Sequence, residues 1–278
     1  AVKDIFDGNS WDQWAEDIRY RWDNAMWYYK TNYSKEIGFY VWLQYLFFTQ
    51  WQKLKKYAND KGLKIIGDIP IYVAYDSADV WAHPEMFQLD QERKPAAADG
   101  QLWGNPLYRW DHHRNTGYDW WITRISWCFR LYDVVRIDHF RGFDEYFSIP
   151  AKDKTAVNGH WEKGPGIELF QAIKARLGEK PIIAEDLGYV TDTVRRMVKE
   201  SGYPNMKVLE FAFDSRDSSG AGDYLPHNYE HNCVAYTGTH DNETILGWLS
   251  SIKPEEVQMV RAYLNRPTES KQVLASEL

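Results

Sequence analysis

Three acidic residues, Asp138, Glu185 and Asp241, each follow a short apolar run, and they stand 47 and 56 positions apart. Asp138 closes Asp133-Val134-Val135-Arg136-Ile137-Asp138, and Glu185 closes Pro181-Ile182-Ile183-Ala184-Glu185. Asp241 comes shortly after Cys233-Val234-Ala235-Tyr236. Runs of this kind read as strands buried on both faces. When such strands run parallel and close on one another, their C-terminal ends share a rim, and side chains from distant parts of the chain converge there. The chemistry that suits such a set is cleavage of a glycosidic bond. It needs one ionised carboxyl at the anomeric carbon and one protonated carboxyl for the leaving oxygen. A third carboxylate can hold sugar hydroxyls and favour ring distortion.

The neighbours fit that division. Arg136 lies two residues before Asp138, so the two side chains share a strand face, and a nearby guanidinium keeps an aspartate ionised. Glu185 follows an apolar run and precedes Asp186; burial and adjacent negative charge favour the protonated acid. His139 and His240 flank Asp138 and Asp241, where each can donate hydrogen bonds to sugar hydroxyls. The plainer readings are an exposed loop carboxylate or helix N-cap for each acid, and a structural ion pair for Arg136 with Asp138.

The elements that must position these groups alternate regularly. Helical spacing over 39–60 stops at Gly62 and is followed by Leu63-Lys64-Ile65-Ile66-Gly67-Asp68. A second helix over 118–132 precedes the run ending at Asp138, and a third over 167–177, stopped at Gly178, precedes the run ending at Glu185. A fourth over 192–200, stopped at Gly202, leads into a strand over 207–214. Residues 254–264 read as another helix, and the polar tail after Pro267 reads as frayed. Strands alternating with helices predict an α/β chain, either an open doubly wound sheet or a (β/α)8 barrel. No phosphate-cradling glycine turn follows the first strand, and several strands end in carboxylates; both favour the barrel. Five such strands are counted where a closed barrel needs eight, so early strands are expected before Ala1 and at least one after Leu278. Residues 1–278 are thus expected to form one partial barrel, with a long loop-rich insertion at about 76–119.

Composition sets the outer limits. Of 278 residues 44% are hydrophobic, enough for a sizeable core, and the net charge of −7 argues against nucleic acid as a partner. The 14 Trp and 19 Tyr serve packing first, but flat rings also stack on sugar faces. Two cysteines, Cys128 and Cys233, make no disulfide framework and fit a reducing, cytoplasmic setting. No run of apolar residues is long enough to span a membrane.

Five longer blocks carry a specific resemblance: Gly67-Asp68-Ile69-Pro70-Ile71-Tyr72, Trp103-Gly104-Asn105-Pro106-Leu107-Tyr108, Val135-Arg136-Ile137-Asp138-His139-Phe140-Arg141-Gly142, Ile183-Ala184-Glu185-Asp186-Leu187-Gly188 and Thr237-Gly238-Thr239-His240-Asp241-Asn242. In order and spacing they resemble the signature blocks of the amylomaltase (4-α-glucanotransferase) family, glycoside hydrolase family 77. The resemblance implies the catalytic (β/α)8 TIM barrel of the α-amylase clan, with about strands 3–7 present here. It implies Asp138 as nucleophile, Glu185 as general acid/base and Asp241 as transition-state stabiliser. Arg136, His139, His240 and Asn242 would surround the scissile sugar, with Asp68 organising the site and Gln101, Trp103 and Asn105 on a loop lining the donor groove. The implied activity is transfer of α-1,4-glucan segments between maltooligosaccharides, with no metal or organic cofactor. The alternatives are hydrolysis by the same carboxylates and a catalytically inactive starch-binding module. The stretch 96–100 is shorter than the corresponding family loop. A chain of this extent on its own is expected to be unstable and inactive.

Overall fold

A computed structural model of the chain describes residues 1–99, 104–153, 155–188, 190–216 and 221–278. They form an α/β fold that divides into two compact units, residues 1–136 with 141–181, and residues 137–140 with 182–278.

The first unit opens with the short helices α1 (Val2–Ile5) and α2 (Glu16–Arg19), then α3 (Asp23–Asn32) and the long α4 (Ser34–Asp60). The helical spacing read over 39–60 is thus the C-terminal part of α4. Gly62, at φ +78°, ends it by donating its N–H to the Asn59 carbonyl at 2.9 Å; only glycine adopts that backbone without a Cβ penalty. Strand β1 (Ile66–Pro70) follows. Asp133, at the entry to β3 (Val134–Asp138), ties the helix to both strands. Its carboxylate accepts from the Ile65 N–H and from Asn59 Nδ2, both at 2.9 Å, and pairs with Lys55 at 3.3 Å. Burial opposes its charge, yet these donors together hold the carboxyl below the usual range.

The 76–119 region, expected as a loop-rich insertion, contains β2 (Ala97–Asp99) and two short helices, α5 (Ala78–Ala82) and α6 (Trp110–Asn115). Its Trp and Tyr residues build a core: Tyr108 packs against Phe87, Trp110 and, from α7 (Asp119–Leu131), Trp121, and Trp110 packs against Trp121, with ring centroids 4.8–6.3 Å apart. Phe143 joins them at 5.2 Å from Trp121 and carries the contact on to Phe170 of α8 (Ile167–Leu177). Arg124 lies over the Trp121 ring and donates to the Pro70 and Ile71 carbonyls, fixing the end of β1. The packing reading of tryptophan therefore holds for these rings. An antiparallel sheet of β2, β4 (Glu145–Pro150) and β5 (His160–Lys163), in the order β2-β4-β5, is an element that hydropathy did not announce, since β5 lies at the surface and buries little.

In the second unit the end of β3 pairs with β6 (Ile182–Ala184), where the Glu185 N–H donates to the Ile137 carbonyl at 3.1 Å. Ala184 N–H reaches the Pro204 carbonyl beside β7 (Asn205–Val208), and β7 pairs in parallel with β8 (Cys233–Tyr236) in the register Asn205↔Cys233 to Val208↔Tyr236. Helix α9 (Asp192–Ser201) connects β6 to β7 and ends at Gly202 in the left-handed region, as its sequence signals.

Two expectations are corrected. The apolar run read as a strand over 207–214 is extended only to Val208; Leu209–Phe213 is a 3-10 turn. Leu209, Glu210, Ala212 and Phe213 are all buried, a helical spacing rather than a period of two. The polar tail is not frayed. After α10 (Ile245–Ser251) and α11 (Pro254–Leu264) comes α12 (Lys271–Glu277), capped by Ser270, with Leu274 fully buried among Leu249, Val257, Val260 and Phe213. One apolar anchor and a serine cap outweigh the surrounding polarity. Leu274→Ala is expected to destabilise this unit by about 2–5 kcal/mol, read as a lower urea midpoint with an unchanged slope.

Candidate active site

Glu185 is held in place by backbone donors. It stands just past β6 and is 9% exposed. Its Oε2 accepts the His139 N–H at 2.7 Å and its Oε1 the Leu187 N–H at 2.9 Å. Its carbonyl accepts from the Phe140 N–H at 2.9 Å, so backbone bonds bind it on both sides to the end of β3. Those bonds require an unusual turn. His139 sits at φ +54°, in the left-handed region that side chains with a Cβ seldom occupy. That conformation directs its N–H to Glu185, and the half-buried Asp138 immediately precedes it. The structure therefore brings the Asp138–His139 turn and the Glu185 carboxyl to one place. Asp186, next in sequence, faces away from this turn: its Oδ1 accepts the Met206 N–H at 3.0 Å, and burial raises its carboxyl above the ordinary range.

Asp241 and His240 lie on the turn after β8, and both are largely exposed. Asn242 organises this turn. Its Oδ1 accepts from the Thr239 N–H and hydroxyl, both at 2.9 Å, while Asp241 N–H donates to Thr239 Oγ1 at 3.3 Å. His240 Nε2 lies 3.4 Å from Asp241 Oδ2. Asn242 is thus placed as a turn-former in addition to its proposed contact with sugar.

In the first unit, Arg136 is nearly buried and its Nη1 bonds Asp68 Oδ2 at 2.6 Å. Asp68 comes from β1, so this pair joins β1 to β3 across the sheet, in keeping with an organising role. Asn105 is half-buried. Gln101 and Trp103 lie outside the described residues.

One residue escaped the sequence reading. Glu210, on the 3-10 turn after β7, is 5% exposed, and its Oε1 meets no hydrogen-bond partner among the described residues. Burial first, and the charge of Glu243 second, push its carboxyl up to about 7. With Asp186, Lys207, Asn242 and Trp248 it lines a cavity of about 790 Å3 in the second unit. The available signal was a single carboxylate inside the otherwise apolar run Val208-Leu209-Glu210-Phe211-Ala212-Phe213. Among the described residues no cluster of His, Cys, Asp and Glu is arranged to hold a metal ion.

The sequence model of glycoside hydrolase family 77, described as 4-alpha-glucanotransferase, matches residues 1–277. The chain belongs to this family. It is 49% identical over 259 residues to a 4-alpha-glucanotransferase of Clostridium butyricum, covering 89% of this chain and 53% of that one. It is 45% identical over 276 residues to that of Thermus thermophilus, covering 95% and 55%. Among solved structures it is similar to an amylomaltase from Streptococcus agalactiae in complex with acarbose, with a TM-score of 0.93 and 42% identity, over 99% of this chain and 58% of that one. The family 77 chain here therefore spans about half the length of the curated relatives it matches.

The left-handed turn at His139 yields a direct test. His139→Val, which puts a β-branched residue at positive φ, is expected to cost about 1–3 kcal/mol. His139→Gly, which keeps the N–H and suits the backbone, is expected to cost less than His139→Val. Chemical denaturation of both variants reads the difference.

Proposed function

We propose that this chain forms part of the catalytic region of a 4-α-glucanotransferase, which moves α-1,4-glucan segments between maltooligosaccharides with retention at the anomeric carbon. The observation that carries the reading is the 2.7 Å bond from the His139 N–H to Glu185 Oε2, which sets the residue after Asp138 against the Glu185 carboxyl. In this reading the chain contributes about strands 3–7 of a (β/α)8 barrel, and the parallel pair β7–β8 supplies part of its rim.

The chemistry follows from the two carboxyls. An Asp138 oxygen attacks the anomeric carbon while Glu185 gives its proton to the glycosidic oxygen. The glucan on that oxygen departs with a free 4-hydroxyl, leaving a β-linked glucosyl-Asp138 ester. The 4-hydroxyl of a second glucan then attacks the same carbon, Glu185 takes its proton, and Asp138 leaves as carboxylate. Two inversions restore the α-linkage. Asp241 stabilises the positive charge that develops on the ring in both steps. Arg136 and Asp68 hold the base of β3 in place, and His139, His240 and Asn242 surround the sugar. The family resemblance assigns Gln101, Trp103 and Asn105 to contacts with the donor glucan. No cofactor enters this scheme. The reading places the enzyme in the cytoplasm, where maltooligosaccharides and α-glucans are its partners.

Maltotriose distinguishes transfer from hydrolysis. The intact enzyme is expected to produce a ladder of longer glucans with little gain in reducing ends; a gain that matches substrate loss would mean hydrolysis instead. Asp138→Ala is expected to lower turnover by at least 10⁴-fold, on the order of the loss when a catalytic nucleophile is removed, while maltodextrin binding persists. Turnover retained in that variant would remove Asp138 as nucleophile.

A further inference from the structure

The second unit contains a buried carboxyl that the two-step reaction does not use. Glu210 follows β7 directly, and the turn that bears it is clamped by its own neighbours: Leu209, Ala212 and Phe213 belong to the apolar cluster with Leu249, Val257 and Leu274. On its other side lies the turn after β8. The Glu210 N–H donates to the Thr237 carbonyl at 3.2 Å, extending the β7–β8 pairing by one step. Its carboxyl lies against Gly238: a Cβ built there would stand 2.9 Å from Glu210 Oε1, 3.2 Å from its Cδ and 3.1 Å from the Asn242 Cβ. The segment 237–242 thus crosses the Glu210 carboxyl so closely that one added methyl group at Gly238 would displace the end of that side chain, and it bears His240 and Asp241.

We propose that Glu210 is a positioning residue, whose carboxyl is the seat for the 237–242 turn and thereby sets where Asp241 stands. The role rests on the assignment of Asp241 made above. The surroundings explain why charge matters. The cations lining the cavity are engaged elsewhere: Arg195 with Asp223 at 2.8 Å, Arg216 with Asp214 at 2.7 Å, and Lys207 over the Tyr224 ring. Of the acids on neighbouring elements, Asp186 accepts from Met206 N–H, and Glu256 of α11 accepts from Ser215 and from Lys253 N–H. Tyr224 accepts from the Gly188 N–H. Glu243, on the segment after the turn, remains as the charge bearing on Glu210. An ionised Glu210 would therefore be a buried charge facing Gly238 and repelled by Glu243, which is costly without a partner. Movement of the turn away from the carboxyl relieves it.

The direction of the pH effect follows. The carboxyl of the folded state holds its proton up to about 7, above its ordinary range. Its contribution to the folded turn is complete below that ordinary range and is lost as pH rises through about 7.

The test uses the intact enzyme and Glu210→Gln, which keeps the shape and cannot ionise. Two readouts are compared at pH 6 and pH 8: kcat for maltotriose transfer, and hydrogen exchange of the amides of 237–243 corrected for intrinsic pH dependence. In the wild type, kcat is expected to fall at least threefold from pH 6 to pH 8 with KM changed less, and the turn is expected to lose protection. In Glu210→Gln both changes are expected to be absent. Equal pH dependence of exchange in the two proteins would overturn the proposal. Because exchange needs no turnover, a wild type that fails to transfer glucan but shows the predicted exchange would defeat the functional reading alone. Gly238→Ala supplies a second measurement should the Gln variant fold poorly. Its effect on the protection of the turn is expected to shrink at least threefold in a Glu210→Ala background, and fully additive effects would count against the contact.

Discussion

The candidate site depends on a single backbone constraint, the left-handed turn at His139. A parallel strand leaves its last N–H and carbonyl groups unpaired at the C-terminal rim, and buried ones must find partners. Here the turn after β3 aims one N–H at a side chain, Glu185, while Glu185 returns the bond through its own carbonyl to Phe140 N–H. The strained residue and the fixed carboxyl thus hold each other. Backbone strain of this kind persists only when the surroundings over-determine it, and the surroundings here are Val135, Ile137 and Phe140, all fully buried.

The same logic of holding appears within the first unit. Asp133 collects the end of α4 and the start of β1, and Arg136 joins β1 to β3 through Asp68. Within the first unit these charged side chains tie the strands to their neighbours. An apolar contact would stabilise equally well but would tolerate sliding, because hydrophobic burial is non-directional. A short bond from Arg136 to Asp68 fixes orientation as well as proximity.

The sequence carried much of this arrangement, and the reasons for its failures are physical. Helix α8 was legible to the residue because its apolar face repeats at helical spacing and Gly178 stops it. The strands bearing Asp138 and Glu185 were legible because both faces are buried, so the run is continuously apolar. The antiparallel strand β5 was not, since His160 and Trp161 face solvent and no alternation marks them. Helix α12 was misread because one buried leucine among polar residues gives no periodic signal; its docking is decided by Leu249 and Val260, contacts that only the fold supplies. The roles of Asp138, Glu185 and Asp241 came from resemblance, whereas pattern alone left loop carboxylates and ion pairs as rivals.

Glu210 was missed for a related reason, and the miss is informative. The sequence reading places Glu210 inside an expected strand over 207–214 and gives it no role. The chain instead leaves the extended conformation at Leu209 and turns Glu210 inward. Burial of Leu209, Glu210, Ala212 and Phe213 follows the 3-10 turn, which carries the carboxyl inward with its apolar neighbours. The turn brings the carboxyl under Gly238, and Gly238 brings the Asp241 segment over it. A position that the sequence left without a role thus becomes a contact between the ends of β7 and β8.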